Sequence, residues 1–127
     1  MSLIVIGLGG ALGAVARYIV TDWVRSLAGD AFPWGTFGVN VAGSLLIGFA
    51  LVWLQSMAPS TQARHLIAVG FLGSFTTFST FSYEVVALAR SDELWRAGTY
   101  ATGSVVLGIV GVLVGAGLAT SLLQARG

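Results

Sequence analysis

The chain has 127 residues, enough for one domain over 1–127, and 56% of them are hydrophobic while only 9% are charged. An ordinary soluble domain carries about 25% charged residues to wet its surface, so lipid is the natural solvent for this chain. It has no cysteine, and its six basic residues are all Arg in a net charge of +1; this excludes disulfide and thiolate chemistry and offers no basic cluster for nucleic acid.

Crossing about 30 Å of hydrocarbon takes roughly 20 apolar residues, and four stretches qualify. The first runs from about Leu3 to Leu27. It lacks a positive leader, so a retained span is expected rather than a cleaved signal peptide. Gly9 and Gly13 form a GxxxG pair suited to close helix packing. Arg17 lies in the same span, where an ionisable side chain is costly and points to function. Two readings are open: the side chain snorkels to an interface, or it lines a watery vestibule and attracts anions. The stretch from Gly29 to Gly35 reads as a turn with interfacial aromatics.

The second span runs from about Thr36 to Met57 and contains Asn40, with Ser44 one turn later. The Asn40 amide can donate to an anion or tie a neighbouring helix. In the turn that follows, Pro59 stops the helix and Ser60 or Thr61 caps the next.

The third span, from about His65 to Ala89, is unusual. From Gly70 through Ser82 six hydroxyl residues and two glycines interrupt a hydrophobic stretch. Such residues weaken a regular helix. A broken helix is expected, with freed carbonyls facing a cavity or an ion; an ordinary helix with hydroxyls bonded back to its own backbone is the alternative. By spacing, Thr77, Thr80 and Glu84 share one helical face, and Phe78 and Phe81 another. Phenylalanine edges are electropositive and can solvate a small anion weakly enough for it to leave. Glu84, the one acid deep in a span, either bonds a neighbouring helix or titrates in transport.

Arg90-Ser91-Asp92-Glu93 places acids before the fourth span, about Ala97 to Leu123. Tyr100 and Ser104 lie one turn apart and extend a polar track; Gly103, Gly108, Gly111, Gly115 and Gly117 read as a packing face. Trp23, Trp34, Trp53 and Trp95 fall near span ends, as an aromatic belt would. Four spans put both termini on one side. That side holds Arg64 and Arg126; the other holds Arg25, Arg90 and Arg96. So small a bias means either a weak preference for one orientation or a dual topology, with both orientations made and paired antiparallel.

Three stretches resemble the Fluc/CrcB family of fluoride channels: Gly9 to Tyr18, Gly35 to Gly43, and Gly70-Phe71-Leu72-Gly73 followed by Thr76 to Ser82 and Glu84. The resemblance implies an all-α membrane protein of four transmembrane helices, the third broken, in an antiparallel homodimer with two fluoride pores. It implies a structural sodium ion at the dimer centre, on carbonyls of Gly73 and Thr76. It makes Phe78, Phe81 and Asn40 pore residues, with Thr80, Tyr100 and Ser104 on the path, Arg17 at a vestibule and Glu84 beside the track. Gly108 stands where relatives can carry a hydroxyl. Fluoride as the ion follows from the resemblance alone.

The expected activity is passive release of cytoplasmic fluoride across the cell (inner or plasma) membrane, without catalytic residues or a phosphate-binding loop. A proton-coupled small multidrug-type exporter is the rival, but that class needs an acid in its first span, where this chain has Arg17. A non-transporting scaffold would leave the hydroxyl-rich third span without a reason.

Overall fold

The computed structural model describes residues 1–58 and 60–127, so the expectation that Pro59 stops a helix lies outside the described residues. Helix α1 is Ser2–Ala28 and α2 is Trp34–Ser56. The third span is composite: α3 (Thr61–Arg64), a π-helical stretch His65–Leu72, α4 (Gly73–Phe75) and α5 (Phe78–Arg90). Helix α6 is Leu94–Arg126. Among the described residues four helical stretches are long and apolar enough to cross a membrane: Ser2–Ala28, Trp34–Ser56, Thr61–Arg90 and Leu94–Arg126.

The helical ends extend a few residues past the apolar cores, and at the third span a polar turn residue caps the start. Trp34 opens α2 directly after Pro33, which stands at the cap position and accepts at its carbonyl from the Phe37 N–H at 3.1 Å. Ser60 accepts a hydrogen bond from the Ala63 N–H at 3.2 Å, so the third span begins at Thr61 rather than His65. Glu93 precedes α6 without capping it through its side chain.

Helix α2 packs along α6, and α1 along the π-helical stretch. The Gly9 and Gly13 face of α1 meets the backbone of Leu66 and Phe71, an approach that small residues permit. At one end Arg96 donates to the Ala31 carbonyl at 3.1 Å, tying the first turn to the start of α6. At the other end Arg126 sits 4.9 Å over the Trp53 ring. These ties put the 29–33 turn with the 91–93 turn, and the C-terminus with the end of α2.

The core is thin. Val39 and Tyr100 are the largest fully buried side chains, while many large apolar residues of α1 and α6 are exposed. In water such a surface would aggregate; in lipid it is the expected exterior.

Candidate functional site

The helix of the third span stops at Phe75 and restarts at Phe78, mid-way along Thr61–Arg90. Thr76 (φ −85°, ψ 160°) and Thr77 (φ −151°, ψ 119°) are extended. Thr77 therefore stands outside the helix as the cap of α5, which corrects the expected common face for Thr77, Thr80 and Glu84. Its hydroxyl accepts from the Thr80 N–H at 3.2 Å.

Asn40 of α2 holds this gap open. Its Nδ2 donates to the Thr77 carbonyl at 2.9 Å, and its Oδ1 accepts from the Thr77 N–H at 2.7 Å. The side-chain amide thus replaces the peptide partners that the break takes from Thr77. In an unbroken α-helix the Thr77 N–H would serve the Gly73 carbonyl, and the Thr80 N–H the Thr76 carbonyl. Both donors are engaged elsewhere, so both carbonyls lose their helical partners. The Arg17 guanidinium reaches the Thr76 carbonyl at 3.4 Å. It points inward to the break and does not snorkel to an interface.

Beside the break lies a cavity of about 420 Å³, lined by Asn40, Ser44, Gly73, Thr76, Thr77, Phe78, Phe81, Ser104 and Gly108 together with aliphatic side chains. Its wall is mostly apolar with a few polar groups, the usual make-up of a small-ligand site. The Phe78 and Phe81 rings are 5.8 Å apart at 49°. Phe78 is 77% exposed and Phe81 only 8%. The Ser104 hydroxyl is buried without a hydrogen-bond partner, and Ser44 donates to the Asn40 carbonyl at 2.7 Å.

The structure therefore gathers Gly73, Thr76, Asn40, Phe78, Phe81 and Ser104 around one space. Thr80, Tyr100, Arg17 and Glu84 do not line it. Tyr100 is fully buried behind Phe81, their rings edge-on at 5.1 Å. Its hydroxyl donates to Glu84 Oε2 at 3.4 Å, and the Thr36 hydroxyl donates to Oε1 at 2.6 Å. Thr36 was not singled out from sequence as a partner of Glu84; 48 residues separate the pair, and no periodicity reveals such a contact.

Residues 4–116 match the family described as CrcB-like protein, Camphor Resistance (CrcB). The chain belongs to the CrcB family. A relative from Hahella chejuensis (strain KCTC 2396), named Fluoride-specific ion channel FluC, is 46% identical over 95% of this chain and 96% of its own length. Relatives with the same name from Roseiflexus sp. (strain RS-1) and from Thermus thermophilus are 46% and 44% identical, over 96% and 94% of this chain and 99% and 94% of their own lengths. With four apolar spans, this CrcB-family chain is a multi-pass integral membrane protein.

Within it, the Thr36 bond carries a prediction of its own. Thr36→Val should destabilise the protein by about 1–3 kcal/mol, because it leaves a part-buried Glu84 oxygen short of a donor. Thr36→Ser should restore the loss. Thermal unfolding in detergent measures both; equal midpoints for Val and parent would remove Thr36 from the site.

Proposed function

We propose that the chain is a passive fluoride channel that releases cytoplasmic fluoride through the plasma membrane of its host. The relatives' shared name supports the ion. The break held by Asn40 beside the cavity supports the mode of action. This space offers ring edges, hydroxyls and an amide, and no side-chain cation on its wall, so an anion would be held weakly and released. The chain acts without catalytic residues.

The working unit is an antiparallel homodimer with two pores. Gly73, Phe78, Ser79 and Thr80 are exposed on one chain at the depth of the break. Hydroxyls and unpaired carbonyls do not face lipid there, so a second copy covers them. The near-even Arg count permits the opposed insertion.

Among the described residues no group of His, Cys, Asp or Glu side chains gathers to hold a metal, so a cation would rest on backbone oxygen. The Gly73 and Thr76 carbonyls, stripped of helical partners, suit a hard cation such as sodium. Such an ion would fix the two breaks of the dimer against each other. The Arg17 contact to Thr76 leaves that carbonyl's second lone pair free and adds positive charge near the break, which attracts anions.

The path takes fluoride past Asn40, the Phe78 and Phe81 edges, and hydroxyls of Ser104 and Thr80, with Tyr100 and Glu84 behind. Fluoride-loaded liposomes carrying the protein should empty when a potential is imposed with a potassium ionophore, and a fluoride electrode reads the release. Release should ignore a pH gradient, unlike that of a proton-coupled exporter. Phe81→Ile removes the ring edge and should slow release at least about tenfold, the loss of about 1.4 kcal/mol of ion stabilisation. Liposomes that keep their fluoride would end the proposal.

A further inference from the structure

Helix α2 meets the break at two places, and the Asn40 clamp is only one of them. Gly43 lies one turn after Asn40 on the same face, where it is buried. A Cβ added at Gly43 would fall on the Thr76 Cγ2, and it would lie 3.4 Å from the Phe75 ring. The Thr76 methyl therefore sits against bare backbone of α2. Both extended residues of the break are thus held by α2, Thr77 through hydrogen bonds and Thr76 through fit.

Thr76 has no spare torsion with which to yield. Its hydroxyl donates to the Leu72 carbonyl at 3.1 Å, and its N–H donates to the same carbonyl at 3.3 Å. Hydroxyl and methyl share one Cβ, so turning the methyl away breaks the hydroxyl bond. The part left to move is the backbone, and with it the Thr76 carbonyl that Arg17 reaches at 3.4 Å. We propose that Gly43 is a positioning residue for the break: it seats the Thr76 methyl and so fixes where the Thr76 carbonyl lies. For its bearing on transport the proposal rests on the fluoride-channel reading, to which it adds a second determinant of the break on α2.

Gly43→Ala should lower fluoride release from liposomes at least about tenfold. Thr76→Ser keeps the hydroxyl and removes the methyl; alone it should cost about threefold at most. Joined to Gly43→Ala it makes room for the added Cβ, and release should return to the level of Thr76→Ser. Release is compared well below the lowest unfolding midpoint, on proteins that size exclusion shows to be folded. A role in stability alone would leave release at the parent's rate there. A folded Gly43→Ala that matches the parent overturns the proposal, as does a double variant no better than Gly43→Ala.

Unfolding midpoints in detergent give a readout without transport. Gly43→Ala should lower the midpoint by about 5 °C or more, and the double variant should lie close to Thr76→Ser. Residues in contact couple in this way, whereas independent ones add their losses. If Gly43→Ala gives no folded protein, a folded double variant supports the seat and an unfolded one overturns it. A parent that releases no fluoride sinks the channel reading instead. The midpoints then decide the seat by themselves: losses that simply add overturn it.

Discussion

Asn40→Ala is expected to lower fluoride release at least about a hundredfold, a loss of about 2.7 kcal/mol. Both amide groups of Asn40 are spent on Thr77, at 2.9 and 2.7 Å. Alanine leaves the Thr77 N–H and carbonyl unpaired at membrane depth, at about 1–3 kcal/mol each. The cheapest remedy is to re-form the i to i−4 bond from Thr77 to Gly73, which straightens the third span. That movement closes the cavity and gives the Gly73 carbonyl back its helical partner. Asn40→Asp tests the same point differently. It keeps an acceptor for the Thr77 N–H, but sets a carboxylate against the Thr77 carbonyl. It should fail in transport as fully as alanine does. Efflux within about threefold of the parent in either variant would mean that the break does not depend on Asn40.

The clamp also bears on the proposal that Asn40 meets the ion. To donate to fluoride, its Nδ2 must share or release the Thr77 carbonyl. Asn40 is thus first a positioning residue for the break, and any contact with an ion would have to compete with that duty.

The spans were readable because membrane helices declare themselves by apolar length, and the four stretches expected are the four observed to within a few residues. The weak point in the third span was readable too, from the density of glycines and hydroxyls between Gly70 and Ser82. Its exact place was not. Periodicity puts Thr77 on the α5 face because it assumes a continuous helix, while the break is set by Asn40, 37 residues away. The π-helical turn at His65–Leu72 was equally hidden, since its residues are apolar and suit an α-helix as well. Composition marks Glu84 as an acid in lipid, but its donors lie on α2 and α6, where local patterning says nothing of contact. Composition and period report what a segment can bury. Contacts between helices decide where a helix stops and which polar group meets which.

The seam between α2 and α6 carries the other large effect. An added Cβ at Gly48 would meet the Val112 carbonyl, and one at Gly115 the Leu45 carbonyl, in each case backbone that cannot step aside. The two glycines set the separation of the helices from opposite sides. Gly48→Val or Gly115→Val must push the helices apart. The overpacking alone is worth about 1–3 kcal/mol, and the loss of contact along the seam adds to it. Either variant should therefore fail to give a folded species by size exclusion in detergent, or unfold well below the parent. Gly117→Ala is the control: it lies on the same helix, and an added Cβ there meets nothing within 4 Å. It should keep the parent midpoint, or gain slightly from alanine's higher helix propensity, about 1 kcal/mol over glycine. If Gly115→Val were as stable as Gly117→Ala, the helices would not approach at this seam. Asn40 would then be carried on a differently placed α2, and the amide clamp on Thr77 could not hold as described.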